Sequence, residues 1–589
     1  MLITRPELVG DFGMVASTHW LASSTGMSVL ERGGNAADAA AAAGFVLQVV
    51  EPHLNGPGGE VPILLWDNGV SVICGQGVAP MAATPAAFAD LGLDLVPGTG
   101  QLPAVVPGAF GAWTRLVEQW GTWRLRDVLA PALALAHSGH PLLLAVSQSI
   151  ESVADMFREH WPSSAATWLR SGGAPAAGDR FRNRVLASTY ERLIAEAESR
   201  TSDRDGQFAA ARDVWYRGFV AEAIGTFCAN EEVMDTSGRP HRGLLTADDM
   251  AAWEPTVEEP QTFDYGEYTV CKTGPWGQGP VFLQQLALLA HTDLAAAEHL
   301  SADWVHTIVE ATKLAFADRE AWYGDPNFVD VPMAELLDPA YNAQRAKLIN
   351  GQVSLEYRPG SPGDRQPMLP TRWSTPDGRR PAAGVGEPTV TSDGHVRGDT
   401  CHLDVVDSNG MMITATPSGG WLQSSPVIPD LGFCVTTRGQ MFWLEEGLPD
   451  TIRPGMRPRT TLSPSMALRE GEPYLAFGTP GGDMQDQWTL HFFLNVVHGK
   501  QNLQEALDSA DWHSLHPVSS FYPREADPAR LLAEDRLGPD VLAELARRGH
   551  EITVTPPWSL GRTSAVARDG EWLKAAANAR GGQGYAVGR

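Results

Sequence analysis

The segment 358–398 is rich in proline, glycine and charge and poor in apolar residues, and it runs directly into T-C-H-L-D-V-V-D-S-N-G-M-M-I-T-A-T at 400–416. A stretch of that composition cannot bury enough apolar surface to offset the entropy of ordering it, so an exposed, mobile loop is expected over 358–398. The residues after it have a roughly alternating pattern around Ser408-Asn409-Gly410, which predicts two strands joined by a tight turn. A long flexible segment entering a core strand is an odd boundary for an intact chain. It is a natural one for a chain that is cut there.

Upstream, the pattern alternates between helix and strand. Residues 20–48 predict two helices broken at Gly33-Gly34, the second so rich in alanine that it should pack closely on a sheet. V-P-I-L-L-W-D-N-G-V-S-V-I-C-G-Q-G predicts a hairpin turning at Asp67-Asn68-Gly69. Residues 125–225 and 281–350 are mostly helical by apolar spacing. The whole reads as an α/β protein, and 589 residues allow either several domains or one large unit.

Charge narrows the partners. Seventy acidic residues stand against 44 basic ones, a net charge of −26, whereas nucleic acid rewards clustered Lys and Arg. Nucleic acid is therefore excluded as a partner, and the acidity reads as a solvated surface. Cys74, Cys228, Cys271, Cys401 and Cys434 have no C-x-x-C spacing, so no metal site and no disulfide framework is expected. The opening M-L-I-T-R-P-E-L-V-G-D-F-G has no secretory pattern, and no apolar run is long enough to span a bilayer. A cytoplasmic location without membrane contact is expected.

Serine-hydrolase elbows, zincin helices and phosphate-binding loops are missing as motifs. What remains is a set of glycine turns at Asn55–Gly59, Ser418–Gly420 and Gly478–Gly482. Such turns are ordinary structure, yet paired glycines also present backbone N–H groups of the kind an oxyanion needs. The pattern alone leaves both readings open.

Seven ordered blocks decide between them. G-M-V-A-S-T-H-W-L-A-S (13–23), G-G-N-A-A-D-A-A (33–40), E-P-H-L-N-G-P-G-G (51–59), V-P-G-A-F-G-A-W (106–113), D-T-C-H-L-D-V-V-D (399–407), R-P-R-T-T-L-S-P-S (457–465) and F-G-T-P-G-G-D (477–483) resemble the gamma-glutamyltransferases. The resemblance implies the N-terminal-nucleophile hydrolase fold, a four-layer αββα sandwich made as one precursor. It further implies a cut between Asp399 and Thr400, giving a large chain 1–399 and a small chain 400–589 that stay together as one unit, with any higher oligomer left open. Thr400 then becomes nucleophile and new N-terminus. Its freed α-amine, with a pKa of roughly 7.7–8.0, can take the hydroxyl proton. Ser418 matches a threonine that positions the nucleophile, and Gly481 and Gly482 match the pair that holds the oxyanion. His402 reads as a support beside the nucleophile. No cofactor is implied.

The resemblance has gaps, all in the part that grips the glutamyl group. Gln76 stands where the transferases place a carboxylate-binding arginine, and Phe442 and Trp443 stand at their acidic pair. Gly420 replaces an asparagine, Thr460 and Thr461 a serine pair, and Cys401 the usual Thr or Ser. With Trp421 near Trp443, a smaller acyl pocket is expected, with Arg438, Arg457 and Arg459 as candidate carboxylate partners. The tracts at 416–429 and 436–444 look closest to the oxamate amidohydrolase branch. Hydrolysis of a small carboxylate-bearing amide is the expected activity. A gamma-glutamyltransferase or glutathione hydrolase with a relocated clamp is the alternative, and a non-catalytic family member the third reading.

Overall fold

The computed structural model describes residues 3–170, 173–373, 400–580 and 584–589. Two seven-stranded antiparallel sheets lie at its centre. In the first, Leu403–Asp407 lies between Gly13–Ser17 and Met412–Ala415, followed outward by Val61–Trp66 and Val70–Gly75. In the second, Glu472–Gly478 lies between Ser465–Arg469 and Ser564–Asp569.

Side-chain alternation along each strand explains how these two sheets acquire four layers. Met14 and Ala16 point into an apolar layer shared with Ala476, Val566 and Ala575 of the other sheet, whereas Val15 between them joins the helix-packed layer on the outside. On the opposite sheet Ala476 points inward, and its neighbours Leu475 and Phe477 pack outward against helices Pro280–Leu289, Ala302–Trp322 and Gln485–Val497. Successive residues of a strand face opposite sides, so a strand buried on both faces has no polar face to show. The architecture is the αββα sandwich of N-terminal-nucleophile hydrolases.

The local expectations upstream are met. Helices Trp20–Glu31 and Ala36–Val50 break at Gly33-Gly34, and every residue of the second is buried. Its small residues permit that closeness: a side chain on Gly44 would come within 2.4 Å of Trp113. Asn35 and Asp38 form a reciprocal cap at its start. Asp407, ending its strand, also accepts from the Ala36 amide at 2.9 Å. The hairpin Val61–Trp66/Val70–Gly75 turns at Asp67–Gly69, and Leu403–Asp407/Met412–Ala415 turns at Ser408–Gly410.

Of the tract 358–398, residues up to 373 contain a single short helical turn at Pro362–Asp364. The rest of the tract, with Asp399, lies outside the described residues. Leu403–Asp407 pairs with Gly13–Ser17 in register, Leu403 opposite Ser17. Segments before and after position 400 therefore share one sheet. No helix among the described residues is long and apolar enough to cross a membrane.

Candidate active site

Thr400 lies just ahead of a central strand, fully buried, in an antiparallel bridge to Ser418. The two hydroxyls are 3.2 Å apart. Ser418 bridges in turn to Glu60 on its other side. Val61 pairs with Gly75, so one further step along that register sets Gln76 opposite Glu60. Thr400, Ser418, Glu60 and Gln76 thus form a row across the sheet, and directly opposed residues share a face. With strands about 4.8 Å apart, Gln76 stands roughly 14 Å from Thr400, backbone to backbone.

The glycine turns let backbones meet over this row. A side chain on Gly56 would lie 2.7 Å from the Gly420 carbonyl oxygen, and one on Gly59 would lie 2.1 Å from that of Ser418. Gly420 itself has φ of 66°. Gly481 and Gly482 have φ of 136° and 52°, conformations that favour glycine. They occupy the turn from Glu472–Gly478 into helix Gln485–Val497, where the helix dipole adds positive potential. Gln278 ties this turn to the Thr460 segment: its Nε2 donates to Gly482 O at 3.2 Å, and its own amide donates to Thr460 O at 2.8 Å. Thr461 next to it is buried, with its hydroxyl unpartnered.

His402 is held from both ends. One ring nitrogen lies 2.9 Å from Thr416 Oγ1 and the other 2.9 Å from Asp404 Oδ1. Ser564 donates to the second Asp404 oxygen at 2.9 Å, which links the two sheets. Burial raises the Asp404 pKa, and His402 beside it opposes that rise. The ring occupies the space over Gly478, where an added side chain would come within 2.2 Å of Cε1. His402 is therefore a wedge between the sheets. Gly478→Ala should destabilise the protein by about 1–3 kcal/mol, the usual cost of overpacking. The urea midpoint measures this, and an unchanged midpoint would contradict the wedge.

Cys401 takes the place of a hydroxyl. Its thiol donates to Glu51 Oε2 at 3.1 Å, and Asn55 donates to its sulfur at 3.2 Å. Burial, first, and then neighbouring Glu51 push the thiol pKa well up, so it stays protonated as a donor.

The structure separates the expected substrate contacts. Arg457 is committed to Asp325 and Glu258, and Arg459 to Glu320. Arg438 donates from Nε to Glu60, and its guanidinium lies 4.9 Å from the Trp421 ring centre. Each of the three leaves one buried nitrogen without a partner, Nη2 in Arg438 and Nε in Arg457 and Arg459. Burial raises the Glu60 pKa, and Arg438 opposes it. Trp421 and Trp443 fall in different apolar clusters. Trp421 clusters with Met441 and Phe521, while Trp443 packs with Leu448 and Val518. Trp443 is drawn away because its indole N–H donates to Glu320 at 2.8 Å and Arg524 stacks on its ring. Gln76 lines a cavity on the far side of the row, which Thr400, Ser418, Gly481 and Gly482 do not line.

Sequence reasoning missed Glu60 and Asp404. The His402/Asp404 spacing of two on a strand was a usable signal, since it puts both side chains on one face. No comparable signal marked Glu60, whose partner is 378 residues away. Among the described residues His306, Glu310 and His550 come within metal-binding distance of one another. Glu310 is already paired with Lys313 and Arg358, and His306 with His550 and the Asn350 carbonyl.

A family model described as gamma-glutamyltranspeptidase matches residues 22–588. The oxamate amidohydrolase proenzyme of Klebsiella pneumoniae is 29% identical over 592 residues, covering 98% of this chain and 99% of that protein. The glutathione hydrolase proenzyme of Bacillus subtilis is 28% identical over 575 residues, covering 96% and 89%. A solved structure of LmbA2991HD is 54% identical, with a TM-score of 0.94 and full coverage of both chains. A match over nearly the whole length, on a shared sandwich, leaves one assignment: the chain belongs to the gamma-glutamyltranspeptidase family.

Proposed function

We propose that the protein is a self-cutting amidohydrolase whose nucleophile is Thr400, acting on a small amide that carries a carboxylate, such as oxamate. The observation that carries this reading is the buried Thr400–Ser418 hydroxyl pair, 3.2 Å apart, ahead of a central strand. Cleavage after Asp399 frees the Thr400 α-amine, which accepts the hydroxyl proton as Oγ1 attacks the substrate carbonyl carbon. The N–H groups of Gly481 and Gly482 hold the tetrahedral oxyanion. The leaving amine takes the proton as the C–N bond breaks, leaving an ester on Thr400 that water hydrolyses.

Arg438 supports the choice of substrate. Its free Nη2 belongs to a pair anchored on Glu60, two places along the row from Thr400. It is nearer to Thr400 along the row than Gln76, which lies one place farther off and carries no charge. The second reading, hydrolysis of gamma-glutamyl amides, is favoured by the relative from Bacillus subtilis, whose identity is almost the same as that of the oxamate enzyme.

Intact-mass analysis of purified protein tests the cut. Two chains are expected, the smaller beginning at Thr400. A single 63.4 kDa species after prolonged incubation would remove the mechanism. Ammonia release from oxamate, set against release of a chromogenic amine from a gamma-glutamyl anilide, tests the substrate.

A further inference from the structure

Gly481 and Gly482 carry no side chains that could lock the amides they present, and glycine is the residue whose backbone moves most freely. Two N–H groups that stabilise an oxyanion have to stay aimed at one point, because donors that reorganise as the charge develops forfeit most of their effect. The stiffness therefore comes from what surrounds the turn. On one side stands the ring of Trp488, 2.4 Å from where a side chain on Gly481 would begin. On the other stands a buried guanidinium.

Arg319 projects from helix Ala302–Trp322 and has no exposed surface. Its Nη1 donates to Asp483 Oδ1 and also to Gln278 Oε1, the latter at 2.9 Å, and its Nη2 donates to Val518 O at 3.0 Å. Gln278 Nε2 in turn donates to Gly482 O. One guanidinium nitrogen thus holds Asp483 directly and Gly482 through a side-chain amide. Ser520 fixes Asp483 from a third direction, its hydroxyl donating to Oδ1 at 2.7 Å and its amide to Oδ2 at 2.8 Å. Burial alone would raise the Asp483 pKa, but Arg319 and Ser520 bring it below the usual carboxylate range, so the pair stays ionic. Buried polar networks with their members satisfied are rigid. This one spans the proposed cut, with Arg319 and Gln278 in the large chain and Asp483, Val518 and Ser520 in the small one.

We propose that Arg319, Asp483 and Gln278 are positioning residues that clamp the Gly481-Gly482 turn, so that both amides face the oxygen that becomes the oxyanion. The proposal rests on the reading of that turn as the oxyanion site. A loosened turn still admits the ground-state amide but meets the tetrahedral state poorly, so the loss falls on kcat.

Gln278→Met removes the relay while keeping the length of the side chain and leaving every charge in place. Asp483→Asn removes the carboxylate charge, and Glu320 at 3.5 Å remains as counter-charge for Arg319. Each variant is assayed on whichever of oxamate and a gamma-glutamyl anilide the wild-type protein turns over. Intact mass gives the two-chain fraction to which each rate is referred. Each variant should lower kcat about ten- to a hundred-fold and leave KM within about two-fold. The double variant should be no slower than the slower single one, because a turn already loose has little more to lose. A kcat within about two-fold of wild type in Gln278→Met, a KM that rises while kcat holds, or effects that multiply in the double variant would each overturn the proposal and leave the amidohydrolase reading standing. If Asp483→Asn does not fold, Gln278→Met decides alone. A folded Gln278→Met protein that never cuts itself would tie the clamp to self-cutting instead and overturn the proposal as stated. Wild-type turnover of neither amide would remove the amidohydrolase reading, and this proposal with it.

Discussion

Thr400→Ala should yield a single full-length chain without amidase activity, with a turnover loss of at least about a thousand-fold. One hydroxyl serves both steps in the proposed mechanism, attacking first the Asp399–Thr400 peptide bond and then the substrate amide. The variant leaves Ser418 facing an apolar methyl and removes the proposed nucleophile. Ser418 does not substitute, because it has no adjacent α-amine to take its proton. Thr400→Ser should retain part of both activities, since its hydroxyl can occupy nearly the same place. The two variants are read by intact mass and by ammonia release. Normal turnover by a correctly folded Thr400→Ala protein would place the nucleophile elsewhere.

Oxamate should exceed a gamma-glutamyl amide in kcat/KM by two to four powers of ten, roughly, if two charge-assisted contacts of about 1.5–3 kcal/mol each are missing for the larger substrate. A glutamyl group presents a carboxylate and an ammonium. At the position of the carboxylate-binding arginine, Gln76 carries only a neutral amide. At the second, Trp443 directs its indole N–H to Glu320, and that carboxylate is already surrounded. Burial alone would raise the Glu320 pKa, but Arg459, Arg319 and Arg524 together lower it, and none of its charge is left for an ammonium. Gln76→Arg should narrow the gap by restoring the cation.

The reverse test replaces the Glu60–Arg438 pair as a unit with Glu60→Gln and Arg438→Gln. Removing Arg438 alone would leave a buried carboxylate without its counter-charge, which costs stability for reasons unrelated to substrate. The double variant should lose about ten- to a hundred-fold in kcat/KM for oxamate, the value of one charged hydrogen bond. Glutathione hydrolysed as fast as oxamate by the wild-type enzyme would reverse the choice of substrate.

Elements whose causes are local were legible in advance. Gly33-Gly34 breaks a helix because glycine is a poor helix former, and Asp67-Asn68-Gly69 and Ser408-Asn409-Gly410 turn because their residues suit tight turns. The alternation in 403–415 marked a strand pair, and the blocks at 399–407 and 477–483 single out Thr400 and the Gly481-Gly482 turn by resemblance alone. What the sequence could not disclose was which carboxylate each of the three arginines pairs with. That depends on where Glu60, Asp325, Glu258 and Glu320 arrive, and each meets its arginine across more than a hundred residues of chain.

Trp443 shows the same limit. Nothing in its neighbours along the chain announces the hydrogen bond to Glu320 or the cation stacked on its face, which hold it in a different apolar cluster from Trp421. By itself the sequence determined the helices, the turns, the strands and the family, because spacing and residue type act over a few neighbours. Only the tertiary structure decided the row Thr400–Ser418–Glu60–Gln76 and the cavity at its end, because strand register brings together residues that no local preference relates.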